Sequence, residues 1–285
     1  MQNINKITTD EAIFLQITEG IADFPKSLWC IGKLPDSRLP TVAIVGTRKP
    51  TTYGKEVTYR LSYELASRGV VIVSGLAFGI DGIAHQAALD AGGITLAVLP
   101  TSVDKIYPAS HRSLAKHIVE SGGALLSEYD PGATTYKGNF IARNRIVTAI
   151  SDGLLITEAA ERSGTLSTAN FALCQGKSVM VVPGNITSPM SAGCNRLLKV
   201  GAAPIVEIND ILHELGWTDA ARQTALPLAH SPQEQKILQL IAEGIRDGQE
   251  LQIKSRLAPA VFSQTLTLME INGVIRALGA NQWGI

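Results

Sequence analysis

Short apolar, β-branched runs recur along the chain: TVAIVGT (41–47), VVIVSGL (70–76), TLAVLP (95–100), ALLSEY (124–129), GLLITEA (153–159), SVMVVPG (178–184) and PIVEI (204–208). Their apolarity is nearly continuous rather than alternating, which predicts strands covered on both faces. Between them lie stretches with helical spacing, at 54–68, 79–91, 110–121, 139–150, 164–175 and 191–200. Strand and helix alternating at this interval predict right-handed crossovers and an α/β fold built on a doubly wound, mostly parallel sheet.

The flanks read differently. Residues 1–40 offer one or two short helices and the Pro-bounded DFPKSLWCIGKLP, and are read as a short helical lead-in to a main domain over 41–216. The stretch 217–231 mixes Ala, Pro and polar residues without periodicity, as a linker does. After it, Ser231 and Pro232 stand as N-cap and first helical residue of a segment that continues as short helix, helix and terminal hairpin. That order predicts a small winged helix-turn-helix domain over 232–285.

Composition narrows the function classes. The chain has 285 residues, 45% of them hydrophobic, with a mean hydropathy of +0.15, ample for a core and unlike a disordered chain. Its 25 basic and 25 acidic residues cancel, so affinity for a polyanion must come from a local patch. Cys30, Cys174 and Cys194 are odd in number and lack metal spacing, which suits reduced thiols in the cytoplasm better than a disulfide framework or zinc site. The first residues carry acids early and no signal-peptide pattern. No apolar run approaches the ~18 residues of a membrane span. A cytoplasmic protein away from the membrane is expected.

The candidate chemistry lies where the strands end, the edge at which open α/β sheets bind ligands. The first strand leads into GTRKPTTYG, the second into the glycine-rich SGLAFGIDGIAH, the fourth toward NFIARNRIVTAIS and the fifth into AERSGTLSTAN. Glycines, hydroxyls and cations collected at helix N-termini suit phosphate binding, with arginines forking onto phosphate oxygens. From Pro131 to Ser151 there is no acid, while Lys137, Arg143 and Arg145 are basic. The two arginines are read either as a solvated helix face or, because compensating acids are missing, as phosphate contacts. Phe140, Tyr136, Tyr107, Phe78 and Tyr53 offer stacking surfaces of the kind that hold single strands without sequence readout.

Neighbouring motifs have blander readings. Glycines in SGLAFGIDG are spaced G-x3-G-x2-G, which disfavours a dinucleotide site, and YGKE lacks the glycines of a Walker loop. Asp81 and His85, four apart, read as a first-turn carboxylate and a histidine paired with it. Glu128 and Glu158 read as ion-pair partners for nearby arginines.

Taken in order, VAIVGTR, SGLAFGIDGIAHQAAL, LLSEY, NFIARNRIVTAIS, EAAERSGTLSTANFAL, VMVVPGNI and GCNRLLKVGA resemble the DNA-processing protein A (DprA/Smf) family over residues ~20–212. The resemblance implies an extended Rossmann domain that binds single-stranded DNA, forms a homodimer and hands incoming DNA to RecA recombinase during natural transformation. It implies no enzymatic turnover, catalytic residue, metal or cofactor. Its binding residues fall on Arg48, on Phe140, Arg143, Asn144 and Arg145, and on Ser163, Gly164 and Thr165; the reading of the loops themselves adds Gly75, Phe78 and Lys137 as candidate nucleic-acid contacts. The chain departs from the family at Thr47 for a serine, at Pro100, Thr101 and Ser102 for a glycine turn, and at His111 for an asparagine. In the winged-helix region no basic residue lies between Arg256 and Arg276 while Glu270 is acidic, so a structural or protein-binding role is expected there. The competing reading is an enzyme, a nucleotide N-glycosidase on a related fold, with Arg143 on a phosphate and Glu158 at the sugar; its Pro-Gly-Gly-x-Gly-Thr turn is missing.

Overall fold

The structure, a computed structural model, describes residues 3–217, 231–242, 245–271, 274–279 and 281–284. The linker expected at 217–231 lies almost wholly outside the described residues. The chain divides into two units, Met1–Trp217 and Thr218–Ile285.

The first unit holds a nine-stranded sheet. The lead-in expected to be helical instead contributes two of its strands, β1 (Ile4–Thr8) and β2 (Ser27–Gly32), around a single 3₁₀ turn at Ile13–Thr18. Most of β1 is exposed, so it carries no apolar run to betray it; β2 buries Leu28, Cys30 and Ile31 with Trp29 half-buried between them. The expected strands follow as β3 (Thr41–Val45), β4 (Val71–Ser74), β5 (Thr95–Val98), β6 (Ala124–Ser127), β7 (Gly153–Ile156) and β8 (Ser178–Val181). Only Ser178 among their residues is not fully buried, as two-sided cover requires. The last, β9, is just Ala203–Pro204, because Asp210 draws the Val206 and Glu207 amides into a helix cap (2.7 and 3.0 Å).

Strand order is β1-β2-β6-β5-β4-β3-β7-β8-β9, parallel from β6 to β9 and antiparallel at β1 and β2. The helices are α1 (Thr52–Ser67), α2 (Ile80–Asp90), α3 (Arg112–Glu120), α4 (Asn139–Ala142), α5 (Asn144–Ala149), α6 (Gly164–Cys174), α7 (Ala192–Lys199) and α8 (Ile208–Glu214). Alternate strand residues point to opposite layers. Val42, Ile44 and Ile72 meet Leu61, Leu65, Ile80, Ala84 and Ile211 of α1, α2 and α8. Ala43, Val45 and Val73 share the opposite layer with Ile146, Ala169, Leu197 and Phe14, from α5, α6, α7 and the 3₁₀ turn. Arg38 pins this lead-in to the sheet, donating to Asp152 (2.6 Å) and the Ile150 carbonyl (3.1 Å) with its guanidinium over the Phe14 ring.

In the second unit, α9 (Pro232–Ala242), α10 (Gly248–Ser255) and α11 (Pro259–Ile271) precede an antiparallel hairpin, β10 (Arg276–Gly279) and β11 (Gln282–Gly284). Ile237, Leu238, Leu251, Phe262, Leu266, Met269 and Ile275 form its separate core. Ser231 accepts from the Glu234 amide (3.2 Å), as an N-cap does. Among the described residues no helix is long and apolar enough to cross a membrane.

His85 on α2 is wholly buried against the sheet and does not pair with Asp81 as expected. The Thr95 hydroxyl donates to the Ile72 carbonyl (2.8 Å), so it accepts from His85 Nδ1 (2.7 Å), leaving Nε2 without a hydrogen or a partner. Burial, with His111 and the Arg143 cation nearby, holds this imidazole down at about 3. A neutral buried histidine gains a proton on unfolding, so its contribution to stability is complete above about pH 6.5 and lost as pH falls toward 3. Urea midpoints measured from about pH 7 down to about pH 5 should decline, and the decline should be shallower in His85→Gln.

Candidate nucleic-acid interface

At the carboxyl edge of the sheet, a buried guanidinium bridges two strand ends. Arg143, at the junction of α4 and α5, is 4% exposed. Its Nη1 donates to the carbonyls of Gly75 (2.5 Å), just past β4, and of Val98, the last residue of β5; its Nε donates to Asn144 Oδ1 (3.2 Å). A Cβ at position 75 would stand 2.2 Å from Arg143 Nη2, so only glycine admits this packing. Burial lowers the guanidinium to about 10, opposed by the Asp81 charge and aided by Arg48, and it remains a cation at neutral pH. Asp81 is itself buried and accepts from the Gly75 and Ala77 amides (3.1 and 3.4 Å). Desolvation pushes its carboxyl up while Arg143 and those amides pull it down.

This arrangement redefines the glycine-rich turn. Its amides are occupied by the protein's own carboxylate, so Gly75 serves the site by accommodating Arg143 rather than by offering an N–H to an anion. The N-terminus of α6 is organised differently. Ser163 caps it, accepting from the Thr165 amide (3.2 Å) and donating to the Thr165 hydroxyl (2.9 Å), while Gly164 is exposed. No protein carboxylate bonds to this turn among the described residues.

Between Arg143 and α6 lies a cleft of about 290 Å³ that gathers Arg48, Phe140, Arg143, Asn144, Ser163, Gly164 and Thr165. Arg48 is exposed, its guanidinium carbon 5.8 Å from the Phe140 ring centroid, and Phe140 rests edge-on against Tyr107 at 5.1 Å. Phe78 and Gly75 line a recess beside Phe140 and Arg143 rather than the cleft. Lys137 is exposed and lies outside the cleft lining.

Arg145 also lies outside it. Its Nη2 pairs with Glu128 Oε2 at 2.5 Å, and the two side chains are 19% and 15% exposed. Neither arginine is free to face outward as expected: Arg143 is buried on backbone carbonyls, and Arg145, two positions on and so about 200° away on a helix, is paired with Glu128. The acid that compensates Arg145 comes from the end of β6, outside the segment whose lack of acids suggested free charge. Glu158 holds no arginine; its oxygens accept from the Thr51 amide (2.8 Å) and hydroxyl (2.5 Å), placing a carboxylate at the N-terminus of α1. Reasoning from sequence overlooked Arg162, exposed on the cleft wall and without an ion pair among the described residues, although its place directly before the Ser-Gly-Thr turn was a signal.

A family model for DNA recombination-mediator protein A matches residues 5–216, and one for the DprA winged helix domain matches residues 219–281. The chain belongs to the DprA/Smf family. A DprA of Mycobacterium tuberculosis is 38% identical over 258 residues, which cover 88% of this chain and 66% of that protein, so the chain spans just under two thirds of its length. The solved structure of Streptococcus pneumoniae DprA is similar at a TM-score of 0.68 and 36% identity, over 75% of each chain. That of Helicobacter pylori DprA, which concerns its single-stranded-DNA binding mode, is similar at 0.65 and 36% identity, over 75% of this chain and 98% of that one. In this DprA/Smf chain the mostly parallel sheet carries the cleft, and the winged-helix domain follows as a second unit.

Gly75→Ala tests the buried bridge. The added methyl displaces the guanidinium from two carbonyls, and should destabilise the fold by about 1–3 kcal/mol in urea unfolding. In the Arg143→Leu background the same change should cost less, the two effects being non-additive because the residues touch.

Proposed function

We propose that this chain is a single-stranded-DNA-binding recombination mediator, which protects incoming DNA and loads RecA recombinase during natural transformation, acting in the cytoplasm as a homodimer. It is a binding and loading protein with no turnover of its own. The observation that carries the reading is the pairing of Arg48, exposed and without an ion pair among the described residues, with the Phe140 ring at the cleft that the buried Arg143 cation lines. Arg143 is committed to backbone carbonyls and supplies fixed positive potential at the cleft; Arg48 and Arg162 are free to meet phosphates. The α6 N-terminus, with Gly164 uncovered, adds amide donors and the favourable end of a helix dipole. Phe140 supplies a face on which any base stacks, so binding is blind to sequence. Lys137, at the rim, and Arg145, which orients the segment through Glu128, act around this centre.

The single-strand binding of the Helicobacter relative supports the choice of ligand. The RecA hand-off and the homodimer rest on family membership. The enzymatic alternative needs Glu158 free at a sugar, whereas both its oxygens are engaged by Thr51.

Fluorescence anisotropy with labelled oligonucleotides tests the reading. Single strands should bind more tightly than duplexes, with log affinity falling against log salt by about 0.7 for each phosphate neutralised. Arg48→Ala and Arg162→Ala should each weaken binding alike across sequences and flatten that slope by about 0.7. Equal affinity for duplex and single strand, or indifference to salt, would sink the proposal.

A further inference from the structure

We infer that a strand held in the cleft continues across Arg48 into a second groove, stacking a base on Phe78 and setting phosphates against Lys49 and Lys55. This rests on the single-stranded-DNA reading above and extends its footprint to residues that reading does not use. The groove, bordered by the start of α1, by α2 and by the start of α3, has a volume of about 670 Å³, more than twice that of the cleft. Arg48 lines both, and Phe78 lines both the groove and the recess beside Phe140, so the path from one to the other is continuous.

The charge of the groove has one sign. Arg48, Lys49 and Lys55 are exposed, none forms an ion pair among the described residues, and no acid lines the groove. Surface lysines alone would be unremarkable; the turn that presents Phe78 is not. Leu76 is wholly buried in the left-handed region, at φ 57°, a conformation costing about 1 kcal/mol for a residue with a side chain. Two residues on, Phe78 is 46% exposed. Gly79, at φ 75°, presses against the first loop so closely that a Cβ would stand 2.4 Å from the Thr47 carbonyl oxygen.

His111 completes the support. Its Nδ1 donates to the Leu76 carbonyl (2.9 Å), and its ring meets Phe78 at 5.4 Å and 67°. It also packs over Gly82, where a Cβ would lie 2.9 Å from its Cε1. His111 therefore braces an aromatic ring whose burial the fold does not use. An aromatic ring held toward water on a rigid turn, in a groove whose charged residues are all cations and continuous with the cleft proposed to bind phosphates, matches how single strands are tracked without base readout.

The test uses the full chain and labelled oligothymidylates of about 4 and about 12 nucleotides, the shorter filling the cleft alone. The longer strand should bind more tightly and with a steeper salt slope. Phe78→Ala should lower affinity for the longer strand about tenfold. The double variant Lys49→Ala/Lys55→Ala should flatten the longer strand's slope by about 1.4, two charges' worth, and leave the shorter strand within about twofold of the parent. If both variants keep the full advantage of the longer strand, the groove is not part of the path, while the single-strand reading stands. If the parent chain binds neither length, that reading fails and this extension with it.

Discussion

A guanidinium buried at the ends of two parallel strands is the constraint on which the site depends. Withdrawing a charge from water costs several kcal/mol, and it persists only where hydrogen bonds and an opposite charge offset the loss. Arg143 finds both, in the carbonyls of Gly75 and Val98 and in Asp81. Those same bonds fix the α4–α5 junction against β4 and β5, and they require a glycine at position 75. The cleft is thus built around a positive charge that does not move, and its mobile cations, Arg48 and Arg162, are added outside it.

The second consequence concerns helix N-termini. Of the helix N-termini at this edge of the sheet, the protein closes two with its own carboxylates: Asp81 on the turn before α2 and Glu158 on α1. The N-terminus of α6, which faces the cleft, instead has a neutral cap, Ser163, and an exposed glycine. A chain of zero net charge concentrates its field in this way. Acids neutralise the potential where the fold needs quiet, and their absence leaves it where an anion is to be met.

The parallel sheet was legible because strands buried on both faces must be continuously apolar: six of the seven runs read as strands became β3 to β8, and of the seventh, 204–208, only Pro204 lies in a strand. The antiparallel edge was not, since β1 is exposed and β2 lies among tryptophan and lysine residues that mask it. At the site, motif spacing brought Arg48, Phe140, Asn144 and the Ser163–Thr165 turn to one cleft. It failed at Arg145 as a phosphate contact, because the missing acids were counted along the chain; the reading of Glu128 as an arginine's ion-pair partner holds, across space from another strand end. It failed differently at Gly75, whose value lies in the atoms it lacks rather than in the amide it offers.

The central claim is that a single strand lies on Phe140 between Arg48 and the α6 N-terminus. Photo-crosslinking with a 5-iododeoxyuridine oligonucleotide, mapped by mass spectrometry, reads that contact directly, because the photoproduct forms with an aromatic ring stacked on the base. Crosslinks should concentrate on Phe140 and vanish in Phe140→Leu, while that variant keeps its fold. Crosslinks confined to the winged-helix domain, with none on the sheet edge, would contradict it.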